Sequence, residues 1–142
     1  MINENLLHAS AAINKLDAIH SKLVDFIRSL DNKDTELGFI DTTPDPISMV
    51  CLHKTMNITR RIIAIDDQPT SNEYAVYAND NENMILVSTF YLNASGVIFS
   101  TPDESDSLCD YNDELLADKL LEYTAHGLLK SQIFKPTESG LK

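Results

Sequence analysis

The sequence predicts a single-domain α+β fold: a four-stranded antiparallel meander covered on one face by helices from the two ends of the chain. Three patterns indicate this class. They are a long amphipathic stretch at 4–30, a second one at 113–134, and strand-like runs between them that are separated by short polar turns. A chain of 142 residues has the usual size of one domain. We therefore expect one core within 1–142, with flexible tails at 1–3 and 135–142.

The first predicted helix covers residues 4–30. Apolar residues recur at spacings of three and four, interrupted by His20, and Asn3 or Asn5 is suited to cap the helix start. A helix of this length spans about 40 Å, roughly the diameter of the whole domain. A small sheet covers only part of such a face, so two uses are open: packing on the sheet, or self-association. The self-association set is Ile13, Leu16, His20, Leu23 and Ile27.

A second helix is predicted over 46–57, after a short extended segment at 37–43. Asp45 and Pro46 fit a helix N-cap and a first helical residue, and Met49, Leu52 and Met56 follow at helical spacing. Weak alternation over 48–53 also fits a strand. We favour the helix.

Four strands are predicted at 58–65, 73–78, 85–92 and 97–99. The last two form a central hairpin, whose turn contains Gly96 in a conformation with positive φ. Residues 101–112 are polar and acidic, which indicates a surface loop, and Asp113 is placed to cap the last helix. Gly127 is unfavourable inside a helix, so it either admits a close backbone or marks a bend.

The charge distribution is uneven. The formal net charge is -11, and between Arg61 and Lys119 the chain has twelve acidic residues without a lysine or arginine. A surface of this kind attracts a basic protein and repels nucleic acid and anionic membranes. The predicted partner-binding residues are Asp66, Asp67, Asp80, Glu82, Asp103, Glu104, Asp106, Asp110, Asp113, Glu114 and Asp118.

Three hypotheses for function follow. The first is an acidic binding protein that neutralises a basic partner, as an immunity protein, an inhibitor or a nucleic-acid mimic does. The second is a homodimeric chaperone or adaptor that uses the apolar face of helix 4–30. The third is an enzyme that uses Cys51 and His53 or a carboxylate site.

The first hypothesis is the leading one. The sequence shows no catalytic motif, cofactor motif or metal-ligand spacing, so we expect no enzyme activity, no cofactor and no metal. It shows no secretory leader and no membrane span, and its two cysteines are far apart. These features predict a cytoplasmic protein with reduced thiols.

Overall fold

The computed structural model describes residues 2–30, 35–44 and 47–136, which form two helices and one antiparallel sheet. The predicted α+β class is confirmed. Each strand pairs with its neighbours in the sequence, so the sheet is a meander from end to end. The helices are α1 (Glu4–Ser29) and α2 (Leu116–Lys130), and a 3₁₀ turn follows at Gln132–Phe134. The strands are β1 (Gly38–Asp41), β2 (Ile47–Cys51), β3 (Lys54–Ile65), β4 (Gln68–Asp80), β5 (Asn83–Asn93), β6 (Val97–Phe99) and β7 (Ser107–Asp110).

The sheet has seven strands, so the predicted number of four is too small. Strand β1 lies in the segment expected to be extended, whereas β7 lies inside the predicted loop 101–112. The turn between β3 and β4 is also shorter than predicted. It consists of Asp66 and Asp67, both with positive φ, and residues 68–72, which lie between two of the predicted strands, belong to β4. Aspartate tolerates this left-handed conformation better than most residues.

The second helix predicted over 46–57 is wrong. Residues Ile47–Cys51 form β2, and Leu52 and His53 make a two-residue turn with φ values of 49° and 67°. Met49 and Met56, whose spacing suggested a helix, face each other across the β2–β3 hairpin. Met49 and Cys51 are both fully buried and point to the same face, which is the strand alternation of period two.

Both helices pack on one face of the sheet. The core joins Ile19 and Leu23 of α1 with Leu120 and Leu128 of α2. The strand residues of this core alternate along their strands, as Tyr74, Val76 and Ala78 do in β4. Burying this set of apolar side chains supplies the main driving force for folding.

The ends of the elements largely follow the sequence signals. The Asn3 side chain caps α1 by accepting a hydrogen bond of 2.7 Å from the backbone N–H of Asn5. Gly96 has a φ of 90°, as its position in the β5–β6 turn requires. Helix α2 begins at Leu116 with Leu115 as its N-cap, so the predicted cap at Asp113 is wrong; the Asp113 carboxylate accepts a hydrogen bond from the Leu115 N–H in the turn before the helix.

Some expectations concern residues outside the described ranges. The predicted helix start at Asp45 and Pro46 and most of the predicted tails, Met1 and residues 137–142, fall there. Within the part of the chain that the structure describes, neither helix combines the length and the apolar character needed to cross a lipid bilayer.

Gly127 is a place where two backbones approach closely. A Cβ atom at this position would lie 2.5 Å from the carbonyl oxygen of Val87 in β5. The contact explains a glycine inside α2, and the sharper of the two expectations for Gly127, a close backbone approach, is the one observed.

We expect Gly127→Ala to lower the free energy of unfolding by about 1–3 kcal/mol, because the methyl group forces α2 away from β5. At an open helical position the same change would raise stability by about 1 kcal/mol. Urea unfolding measures the difference. Glu122→Ala, on the exposed side of α2, is the control and should change stability by less than about 0.5 kcal/mol. An increase in stability for Gly127→Ala would contradict the close contact.

Candidate functional site

The meander decides where each acidic turn lies. Successive antiparallel strands reverse direction, so the β3–β4 turn at Asp66 and Asp67 lies at the same end of the sheet as the β5–β6 turn. The β4–β5 turn, with Asp80 and Glu82, lies at the opposite end. The sheet therefore separates the predicted docking residues into different regions.

The β6–β7 loop brings two further carboxylates to the first of these ends. Glu104 Oε1 accepts a hydrogen bond of 2.8 Å from the side chain of Asn93, which ends β5. Pro102, Asp103 and Glu104 line a groove of about 400 Å³ together with Ile65 and Thr70 of the β3–β4 hairpin. The loop is thus held against the hairpin that carries Asp66 and Asp67.

A fifth carboxylate belongs to the same end. Asp110 of β7 pairs with Val97, the residue that directly follows the β5–β6 turn. We call this region the acidic end, defined by Asp66, Asp67, Asp103, Glu104 and Asp110. All five residues are exposed.

Local hydrogen bonds lower the pKa of one of these carboxyl groups. The hydroxyls of Ser105 and Thr101 and the Ser105 N–H lower the pKa of Asp103 below its ordinary value. The charge of this carboxylate is therefore retained down to a lower pH than that of a free aspartate.

The acids of the acidic end are not balanced by cations. Of the predicted docking residues, only Asp113 makes an ion pair within the described residues, through a distance of 2.6 Å to Lys119 Nζ. The other ion pairs of the described ranges join Asp17 to Arg60, Asp25 to Arg28 and Glu73 to Arg61. Lys119 lowers the pKa of Asp113, as expected for an adjacent opposite charge.

The remaining predicted docking residues are distributed over other parts of the molecule. Asp106 binds the hydroxyl of Ser100. Glu114 precedes α2 and Asp118 lies in its first turn. The eleven acids therefore do not form a single surface, and the acidic end is their largest group.

A buried polar cluster attaches α1 to the sheet. Asn72 of β4 is fully buried, and its amide nitrogen donates a hydrogen bond of 3.0 Å to the carbonyl oxygen of Leu16. Its amide oxygen accepts from Arg60 Nε at 2.8 Å, and Arg60 pairs with Asp17 of α1. Sequence reasoning missed Asn72 because it lies in the polar segment between the predicted strands 58–65 and 73–78. No pattern in the neighbouring sequence indicates that this side chain is buried between α1 and the sheet.

His20 belongs to the same contact between α1 and β4. Its Nδ1 lies 2.7 Å from the hydroxyl of Tyr74, and the two rings stack. Partial burial lowers the pKa of His20, and the nearby charge of Arg60 lowers it further while Asp17 opposes the shift. Burial also raises the pKa of Tyr74, so its hydroxyl stays protonated at neutral pH.

The predicted self-association residues have different environments. Leu16 and Leu23 are buried on the chain's own sheet, and His20 and Ile27 are half-buried. Ile13 is exposed. The exposed apolar part of α1 is its N-terminal half, upstream of most of the predicted set.

The N-terminal half of α1 lies beside the acidic end. A cleft of about 400 Å³ separates this part of the helix, including His8, Ala12 and Lys15, from the start of β4 at Pro69 and Thr70. Thr70 lines this cleft and also the acidic groove. The cleft beside α1 and the acidic groove therefore border the same residue of β4.

The cysteine hypothesis depends on an accessible thiolate. Cys51 is fully buried, burial raises its thiol pKa, and its Sγ lies 3.5 Å from the carbonyl oxygen of Leu121. His53 is exposed in the following turn. Burial also raises the pKa of Cys109, to about 11. These placements favour a packing role for both thiols. Across residues 2–30, 35–44 and 47–136, no three His, Cys, Asp or Glu side chains are arranged to hold a metal ion.

Comparisons with protein-family models, with curated protein sequences and with solved structures find no match to this chain.

The His20 contact predicts a pH-dependent stability. The folded pKa is below the unfolded value of 6.5, so the unfolded chain binds the proton more readily. The stability that depends on a neutral His20 is fully present above pH 6.5. It is lost as the pH falls from 6.5 toward the folded pKa. We expect the free energy of unfolding, measured with urea, to decline as the pH is lowered from about 7.5 to 5. We expect His20→Gln to reduce this decline. His126→Gln, in an exposed position, is the control and should leave the decline unchanged. Equal slopes for both variants would contradict the assignment.

Proposed function

We propose that this protein binds a basic protein partner and neutralises it, as an immunity protein, an inhibitor or a nucleic-acid mimic does. The observation that carries the proposal is the acidic end, where five exposed carboxylates lie together and none makes an ion pair within the described residues. We also propose a cytoplasmic location. The free thiols of Cys51 and Cys109 support it, because such compartments keep thiols reduced.

Electrostatics gives the reason for this preference. Carboxylates without local cations produce a negative potential that accelerates encounter with a positive surface. The same potential repels phosphates, so a direct nucleic-acid ligand is disfavoured. Self-repulsion between Asp66, Asp67, Asp103 and Glu104 has a cost in the free protein, and a cationic partner relieves that cost on binding.

The backbone segments that carry these carboxylates support a rigid docking surface. Asp66 and Asp67 form a tight two-residue turn, and the Glu104 side chain is tied to Asn93. Carboxylates on a short hairpin and an anchored loop lose little conformational entropy when they bind.

The test is affinity capture from the native host at low salt and at high salt, followed by affinity measurements with the captured protein. We expect a basic protein to be retained at low salt and released at high salt, because salt screens exposed charges. A quadruple variant that removes four of the five charges of the acidic end should bind at least about fourfold more weakly, because exposed pairs contribute about 0.2–1 kcal/mol each. Its substitutions are Asp66→Asn, Asp67→Asn, Asp103→Asn and Glu104→Gln.

The matched control removes four charges elsewhere, three of them exposed and that of Asp80 half-buried, so that the net charge of the two variants is the same. Its substitutions are Glu36→Gln, Asp80→Asn, Glu82→Gln and Glu122→Gln. Equal loss of affinity in both variants would mean that net charge alone attracts the partner. Binding that does not respond to salt would contradict the proposal directly.

A further inference from the structure

The N-terminal half of α1 exposes apolar side chains that the chain's own sheet does not cover. Leu6 and Leu7 are 65% and 53% exposed, and Ile13 is 37% exposed. Further along the helix, Leu16 and Leu23 are buried. The helix therefore packs closely on the sheet from Leu16 onward, whereas its first three turns leave these apolar residues exposed.

Leu6 and Ile13 lie on the side of α1 that faces β3. They precede Asp17 by eleven and four residues, so the three residues share one side of the helix. Asp17 reaches across to Arg60 of β3, with 2.5 Å between the paired atoms. Ile62 and Ala64 follow Arg60 on the same face of the strand, where Ile62 is half-buried and Ala64 is exposed. We call the region formed by Leu6, Ile13, Ile62 and Ala64 the α1–β3 flank.

Charge selects the occupant of this flank. A second copy of the chain brings another formal charge of -11, which opposes close approach. The flank itself ends at the β3–β4 turn, where Asp66 and Asp67 have no ion-pair partner in the described ranges. An apolar surface bordered by carboxylates is complementary to a helix with one apolar and one cationic side.

We infer that the α1–β3 flank binds an amphipathic α-helix of the basic partner. The apolar side of that helix packs on Leu6 and Ile13, and its Lys or Arg residues reach Asp66 and Asp67. This is the helix-in-groove mode of recognition, in which apolar residues at helical spacing give affinity and flanking charges give orientation. The inference rests on the proposed function and adds the chemical class of the binding element.

The probe for the test is a fluorescent synthetic peptide of leucine and lysine, arranged so that all leucines lie on one side of a helix. A second peptide has the same composition in an order that removes the apolar side. Anisotropy titration with the full chain should give at least about tenfold tighter binding of the first peptide, since both carry the same charge.

Two pairs of variants locate the contact. Leu6→Ser with Ile13→Ser should weaken binding at least about tenfold, and Leu6→Ser alone, at a more exposed position, should weaken it in the same direction. Met84→Ser with Leu86→Ser is the control, because these residues are also apolar and exposed but lie outside the flank on β5. Asp66→Asn with Asp67→Asn is the second pair and should also weaken binding. Asp80→Asn with Glu82→Gln, at the opposite end of the sheet, is its control.

Each outcome decides the question. Binding that Leu6→Ser, alone or with Ile13→Ser, weakens and that the Met84 and Leu86 control preserves supports the inference. Equal binding of the two peptides, no binding, or unchanged affinity in the Leu6 variants overturns it. If Asp66→Asn with Asp67→Asn still weakens a salt-sensitive interaction, the proposed function survives that failure. A dimer in light scattering that Leu6→Ser dissociates would assign the flank to a second copy, and so overturn the inference.

Discussion

The position of the first helix depends on the amide of Asn72. A fully buried amide requires hydrogen-bond partners on both of its polar atoms, and here they are the carbonyl oxygen of Leu16 and the guanidinium of Arg60. The first partner lies in the middle of α1, and the second is in turn paired with Asp17 of the same helix. The cluster thus fixes the position of α1 along β4 and the orientation of the helix on the sheet.

The consequences reach the surface. With Leu16 held above β4, the helix cannot slide to bury its first three turns, and Leu6 and Leu7 stay in water. His20 and Tyr74 strengthen the same attachment one turn further along. A packing requirement in the core therefore creates an exposed apolar segment, and it places that segment next to the acidic end.

The second constraint is the alternation of turns in a meander. Because consecutive turns lie at opposite ends of the sheet, Asp66 and Asp67 are separated from Asp80 and Glu82 although all four are close in sequence. Conversely, Glu104 is far from Asp66 in the chain and near it in space, since Asn93 anchors its loop. Charge density along the chain is thus a poor guide to charge density on the surface.

The predictions from sequence succeeded where one local signal decided the structure. The helix start at Asn3 and the turn at Gly96 follow from capping and backbone conformation, and the amphipathic period determined the class of fold. The prediction failed at 46–57 because Met49 and Met56 satisfy a helical period and also face each other across a hairpin. It missed β7 because a short edge strand among acidic residues has little apolar pattern to detect.

What the sequence alone determined is the α+β class, the sign of the charge, the long first helix and the turn at Gly96; the hairpin predicted as central, β5–β6, lies next to the edge strand β7. These properties depend on residues that are neighbours in the chain. Only the tertiary structure decided which half of α1 is exposed, which carboxylates lie together and where Asn72 binds. Those outcomes depend on strand pairing and on partners distant in sequence, and no local pattern records either of them.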